Sequence, residues 1–114
     1  MRPIIIRDSK VPVMLSLFVD IAAITLFPFI FIRTGQDSDR IIRHETIHFY
    51  QYVETAVIGF LLLYVTDWLR GLLRYRNPDK AYMRIRFEQE AYDHETEEGY
   101  PENRQAYAWR AYRV

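Results

Sequence analysis

Five consecutive residues, His44-Glu45-Thr46-Ile47-His48, carry the chemistry in this chain. They read His-Glu-x-x-His. On a helix, His44 and His48 stand at i and i+4, so both imidazoles project from one face, one turn apart. Two neutral imidazoles so placed supply two corners of a Zn²⁺ site. Glu45 follows the first histidine and is rotated off the ligand axis, where a general base for a metal-activated water belongs. By residue usage alone such a pattern arises in on the order of a few per thousand chains of this length. The motif therefore needs a helix around it and a third ligand elsewhere before it carries weight.

The surrounding sequence bounds what that site serves. The 114 residues make one domain, 1–114, with room for a modest core. Lys plus Arg and Asp plus Glu number 15 each, and the arginines are scattered among acids. A nucleic-acid partner is therefore not expected. Cysteine is absent, which excludes disulfides and thiolate metal sites and leaves His, Asp and Glu as ligands. Nine tyrosines within a 16% aromatic content suit an aromatic-lined cleft, a large interface or membrane contact.

The elements that must position the motif are readable in part. Residues 3–6 read as a short strand. Residues 11–32 are strongly apolar and follow Arg2, Arg7 and Lys10, which also fits a membrane span. Asp20, Pro12 and Pro28 interrupt that run, and its β-branched and aromatic residues favour strands over 13–19 and 21–32. No cleavage site follows a short apolar core, so no signal peptide is expected, and a cytoplasmic or membrane-associated setting is favoured over a secreted one. Phe29–Arg33 is the strongest strand; Pro28 at its start predicts an edge position or a bulge. Asp37 or Ser38 can cap a helix over 39–54, which has neither Gly nor Pro. Ile41, His44, His48, Gln51 and Tyr52 share one face of it. A second helix is expected over 56–75. Its first part, 56–66, has no charge and is apolar all round, so a homo-oligomer partner or a peripheral membrane contact is expected to cover it. Asn77-Pro78-Asp79 starts a helix over 78–97 that stops near Gly99, and Pro101 opens a last one over 101–112. The fold class is α+β: a small N-terminal sheet or hairpin with an edge strand, then about four helices.

Helix 78–97 offers Glu88, Glu90, Asp93, His94 and Glu95 as a third ligand. Ala81, Ile85, Glu88, Ala91, Tyr92 and Glu95 fall on one stripe. Glu88 is thus central on a largely apolar face, where an unpaired carboxylate is costly and a metal ion would relieve the cost. Glu90 shares a polar face with Arg86, Asp93, His94 and Glu97 and reads as a solvated acid, held in reserve as a ligand.

The pattern resembles the gluzincin-type zinc metallopeptidases, in which a His-Glu-x-x-His helix is joined by a glutamate from a later helix. It also resembles short bacterial zincin-like proteins carrying an Ala-Tyr and a Phe-Glu-x-Glu-Ala-Tyr segment, here Ala81-Tyr82 and Phe87–Tyr92. Glu88-Gln89-Glu90-Ala91 matches the Glu-x-x-Ala of several such families, and Gln51 matches a Gln three residues after the second histidine. Tyr92 departs from an aspartate common there, which leaves the partner of the ligand shell open. The resemblance covers roughly residues 25–112. It implies His44, His48 and Glu88 on Zn²⁺, Glu45 as general base, a peptide or protein substrate added to the edge strand Phe29–Arg33, and peptide-bond hydrolysis. Tyr100, Tyr107 and His94 are the candidates for stabilising an oxyanion, and Arg104 reads as a surface ion-pair partner. Two other readings stand beside this one: a non-catalytic zinc-binding module, for which the small size argues, and a small membrane-associated protein in which the motif is incidental.

Overall fold

Three short strands form a mixed sheet in the order β1-β3-β2. The computed structural model describes residues 2–12, 22–36 and 38–114. Strand β1 is Ile4–Ser9, β2 is Ala23–Leu26 and β3 is Phe29–Arg33. The strand expected over 13–19 lies outside the described residues. The apolar stretch 21–32 resolves into a hairpin: β2 and β3 pair antiparallel from Ala23↔Ile32 to Leu26↔Phe29. Phe27-Pro28, joined by a cis peptide bond, makes the two-residue turn.

The expected edge position of Phe29–Arg33 is overturned. Strand β3 is central, parallel to β1 on one side and antiparallel to β2 on the other. The reason is where Pro28 falls. Its missing N–H is in the turn and not in the ladder, so it does not bar β3 from pairing twice. The carbonyl of Pro28 accepts from Ile4 N at 2.9 Å. Ile30 and Ile32 point inward from β3 and are fully buried, as period-2 alternation requires. Among the described residues, the edge strand beside the motif is β2.

The motif helix, α1, spans Asp39–Glu54 as expected. Ser38 is its cap, its hydroxyl accepting from Ile41 N at 3.2 Å. The helix packs on β2 and β3. It stops at Thr55, and Ala56 and Val57 both have positive φ. Ile58 N bonds Ala56 O at 2.7 Å across Val57, whose φ of 66° and ψ of −63° make a classical γ-turn, an expensive conformation for a β-branched residue. The break therefore falls before Gly59. Helix α2, Ile58–Tyr75, leaves at 112° to α1.

The single helix expected over 78–97 is two. Asn77 caps α3, Pro78–Met83, accepting from Asp79 N and Lys80 N. Helix α4 is Arg86–His94. No Gly or Pro marks the break, because its cause is tertiary. Ile85 is extended and fully buried, and the first free N–H of α4, on Arg86, is met by the Asp67 carboxylate of α2 at 3.2 Å. Asp67, 1% exposed, also takes Arg86 Nε at 2.8 Å and the Arg86 NH2 group at 3.0 Å. Gly71 lets α2 and α3 touch: a Cβ there would lie 2.8 Å from Ala81 Cα. The last expected helix shrinks to α5, Tyr100–Asn103, and a 3-10 turn, η1, Ala108–Ala111.

The core is an aromatic ladder. Tyr52 stacks on Phe60 at 3.9 Å, Phe60 on Phe87 at 4.5 Å, and Phe87 meets Trp109 edge-on at 4.9 Å. It ties α1, α2, α4 and η1 together and fixes α4 against the motif helix. Among the described residues, no single helix is long and apolar enough to cross a membrane.

Candidate metal centre

Helix α1 presents His44 and His48 inward on one face, and the α2–α4 packing brings Glu88 across to them. His44 Nε2 and His48 Nε2 are 3.2 Å apart. Glu88 Oε1 is 3.1 Å from each. Three donor atoms thus form a near-equilateral triangle, all buried; Glu88 is 4% exposed. Glu45 sits beside it, with Oε2 3.8 Å from His44 Nε2. His44, Glu45 and His48 form a group whose candidate ligand atoms lie within 4.8 Å of one another, and this buried group could hold a metal ion.

Each imidazole is oriented through its other nitrogen. Glu95 Oε1 lies 3.1 Å from His44 Nδ1, and a carboxylate only accepts, so Nδ1 carries the proton. Arg40 holds the second Glu95 oxygen at 2.6 Å. Gln51 Oε1 lies 2.7 Å from His48 Nδ1. The amide nitrogen of Gln51 donates to Phe87 O at 3.1 Å and to Glu90 Oε1 at 2.9 Å. Those two acceptors fix which way the amide points, and its oxygen then takes the Nδ1 proton of His48. Both Nε2 atoms are left aimed at the triangle, as metal-binding histidines require.

Charge within this cluster is strongly coupled. Burial would raise the Glu88 carboxyl, but His48 and His44 together outweigh it and hold the carboxyl well below its ordinary range. Burial would lower His48, yet the facing Glu88, helped by Glu45 and Gln51, pushes it up to about 9. Burial raises Glu45, against the opposing pull of the two histidines. The Thr25 hydroxyl spans Glu45 O at 2.9 Å and Oε1 at 3.2 Å. One carboxylate oxygen of Glu45 is therefore tied to β2, and the other faces the histidines. Tyr64 donates to Glu88 Oε2 at 2.6 Å, which fixes the plane of that carboxylate.

Two adjoining cavities open over these residues, of about 800 and 290 Å³. His44, Glu45, Ala23, Tyr64, Val65 and Tyr82 line both. Strand β2 forms one wall of the smaller cavity through Ala23–Leu26. The sequence did not reveal this cleft, since its walls come from α1, α2, α3, α4 and β2, five separate segments.

Three expectations are corrected here. Glu90 is not solvated: it is 0% exposed, bonded by Arg104 Nε at 2.8 Å, by Tyr100 OH at 2.9 Å and by Gln51. Arg104 is no surface ion-pair partner; its side chain is buried between Glu90 and Glu54. The cause of both is α5, which folds back on the face of α4 that periodicity marked as polar. Third, Tyr100, Tyr107 and His94 border a separate cavity of about 840 Å³ that none of His44, Glu45 and His48 lines. His94 stacks on Tyr100 and pairs with Glu97. The phenols at the histidine cleft are Tyr52, Tyr64, Tyr82 and Tyr92. Glu95 was within reach of sequence reasoning, since it lies seven residues after Glu88 on the same stripe. Thr25 and Tyr64 left no local signal.

Compared with protein-family models, curated proteins and solved structures, the chain matches none. The likeness to zincins rests on the residues of the site.

Proposed function

We propose that this chain is a minimal zinc peptidase of the gluzincin type, with His44, His48 and Glu88 as ligands and Glu45 as general base. The carrying observation is the triangle of His44 Nε2, His48 Nε2 and Glu88 Oε1 at 3.1–3.2 Å sides. Ligands bonded at 2.0–2.1 Å around tetrahedral zinc are separated by roughly 3.3–3.4 Å, so the three donors stand close to the spacing the ion needs. The nitrogen and carboxylate donor set suits zinc. A bound zinc ion supplies an activated water and polarises a carbonyl at neutral pH.

The chain's own residues account for the rest. Glu45 Oε2 faces the triangle while Oε1 is held by Thr25, so a proton can be taken and returned at a fixed atom. Strand β2, the sheet edge along the cleft, takes the place first expected of Phe29–Arg33: an extended peptide adds to it in antiparallel fashion. Tyr82, which lines both cavities and bonds Tyr92 OH at 2.8 Å, replaces Tyr100, Tyr107 and His94 as the phenol for a developing oxyanion. The apolar walls of Val65, Trp68 and Met83 favour bulky apolar side chains beside the scissile bond.

The deciding experiment compares parent and Glu45→Gln proteins, both loaded with zinc, on a mixture of unstructured peptides. The parent cleaves. The variant keeps its zinc and loses about 10²-fold or more in rate. Equal hydrolysis by the two, or none by either, returns the chain to a zinc-binding module without hydrolytic role.

A further inference from the structure

The outward face of α2 is unusual for a chain this small. Ile58, Leu61, Leu62, Val65, Leu69 and Leu73 are all exposed, Leu62 at 65% and Leu73 at 83%. Their spacing puts them on one stripe, roughly 22 Å long at 1.5 Å per residue. No charged side chain interrupts it. The acid of this helix, Asp67, is turned inward to Arg86. Thr66, at the margin, gives its hydroxyl to Leu62 O of its own helix at 2.7 Å, so it needs no water.

We propose that this face seats on the surface of an anionic lipid bilayer. The charges around its C-terminal end select the occupant. Arg70, at the flank of the stripe, and Arg76, just past the last turn, are exposed, and neither has an ion-pair partner among the described residues. No acid of α2 is exposed, so the same helix in a second copy offers these arginines no partner. Anionic headgroups offer the opposite charge, and the acyl region accepts the leucines. The face is also continuous with the cleft, because Leu61 and Val65 line the cavity that holds His44 and Glu45. Leu26, on the opposite wall of that cavity, is exposed as well. A chain seated through α2 therefore opens its cleft beside the bilayer, toward apolar segments lying at the interface. The docking is a property of the surface alone: Glu45→Gln protein must bind vesicles as the parent does.

The test is flotation of the full chain with vesicles of phosphatidylcholine alone and of phosphatidylcholine mixed with phosphatidylglycerol. Flotation separates bound protein from aggregate, which sediments. The parent is expected to float with the mixed vesicles and to be released by salt. Arg70→Gln and Arg76→Gln should each weaken binding about fivefold. The double change Leu62→Glu and Leu73→Glu should weaken it by more than tenfold, with the far-ultraviolet spectrum of the parent. Should the double variant fail to fold, the arginine variants, which sit outside the core, decide. The proposal falls if the parent does not float with either vesicle, or if the arginine variants float as well as the parent. It falls equally if the leucine substitutions abolish a dimer while flotation is absent, which would assign the face to a second copy.

Discussion

Gln51 Oε1 lies 2.7 Å from His48 Nδ1, and the same side chain gives its N–H groups to Phe87 O and Glu90 Oε1. One amide thereby sets the tautomer of His48 and couples the motif helix to α4, which carries Glu88. Glu95 does the same for His44 from the far end of α4. The two histidines are thus held from behind by different groups, and both supports lie on elements that meet only in the folded chain.

These supports should be measurable as metal affinity. Gln51→Ala and Glu95→Ala are each expected to lower zinc affinity about 10–100-fold, read by competition with a chromogenic chelator. Glu95→Gln, which can still accept from Nδ1, should recover part of the loss. Unchanged affinity in both alanine variants would show that neither group orients its histidine.

The charge state of the cluster gives a pH signature. Without metal, His48 is raised from 6.5 to about 9 and Glu88 is lowered below 4.5. A raised histidine stabilises the fold fully below about 6.5, and the contribution is lost as pH rises through about 9. A lowered carboxylate stabilises above 4.5, and the contribution is lost as pH falls below it. The His48–Glu88 pair therefore supports the metal-free chain most between pH 4.5 and 6.5. Zinc must displace the His48 proton, so binding at pH 7 should release about one proton, falling toward none above pH 9. Calorimetry in buffers of different ionisation enthalpy reads this directly. Zinc binding at pH 7 without proton release would mean that His48 is already neutral.

Behind Gln51 stands Arg104, shared between Glu54 and Glu90. Its NH1 group is 3.0 Å from Glu54 Oε2 and its Nε 2.8 Å from Glu90 Oε2. Arg104→Ala leaves two carboxylates buried without their cation and should destabilise the chain by about 3–5 kcal/mol. That is a large share of the whole stability of a domain this size. Urea unfolding of the zinc-loaded protein checks it, and a loss under about 1 kcal/mol would place Arg104 among ordinary surface pairs.

The motif helix was legible because its signals are local: Ser38 as cap, an unbroken run to Glu54, and histidines at i and i+4. That Glu88 would lie beside the histidines was legible because a carboxylate at the centre of a largely apolar stripe asks for a partner. What escaped was set at a distance. The break at Ile85 depends on Asp67, nineteen residues before Arg86. The burial of Glu90 depends on Arg104 arriving from α5. The central position of β3 depends on β1 pairing in parallel across a gap of more than twenty residues, where Pro28 argued for an edge. Periodicity reports which face of an element is apolar and is silent about which polar face another element will cover.

The most direct measurement is zinc stoichiometry of the purified parent chain beside His44→Ala and Glu88→Ala, after equilibrium with a weak chelator. The expected result is one zinc ion per parent chain and loss of that ion in both variants. A parent chain that retains no zinc, or a Glu88→Ala chain that holds it as firmly as the parent, would contradict the assignment of His44, His48 and Glu88 as the metal ligands.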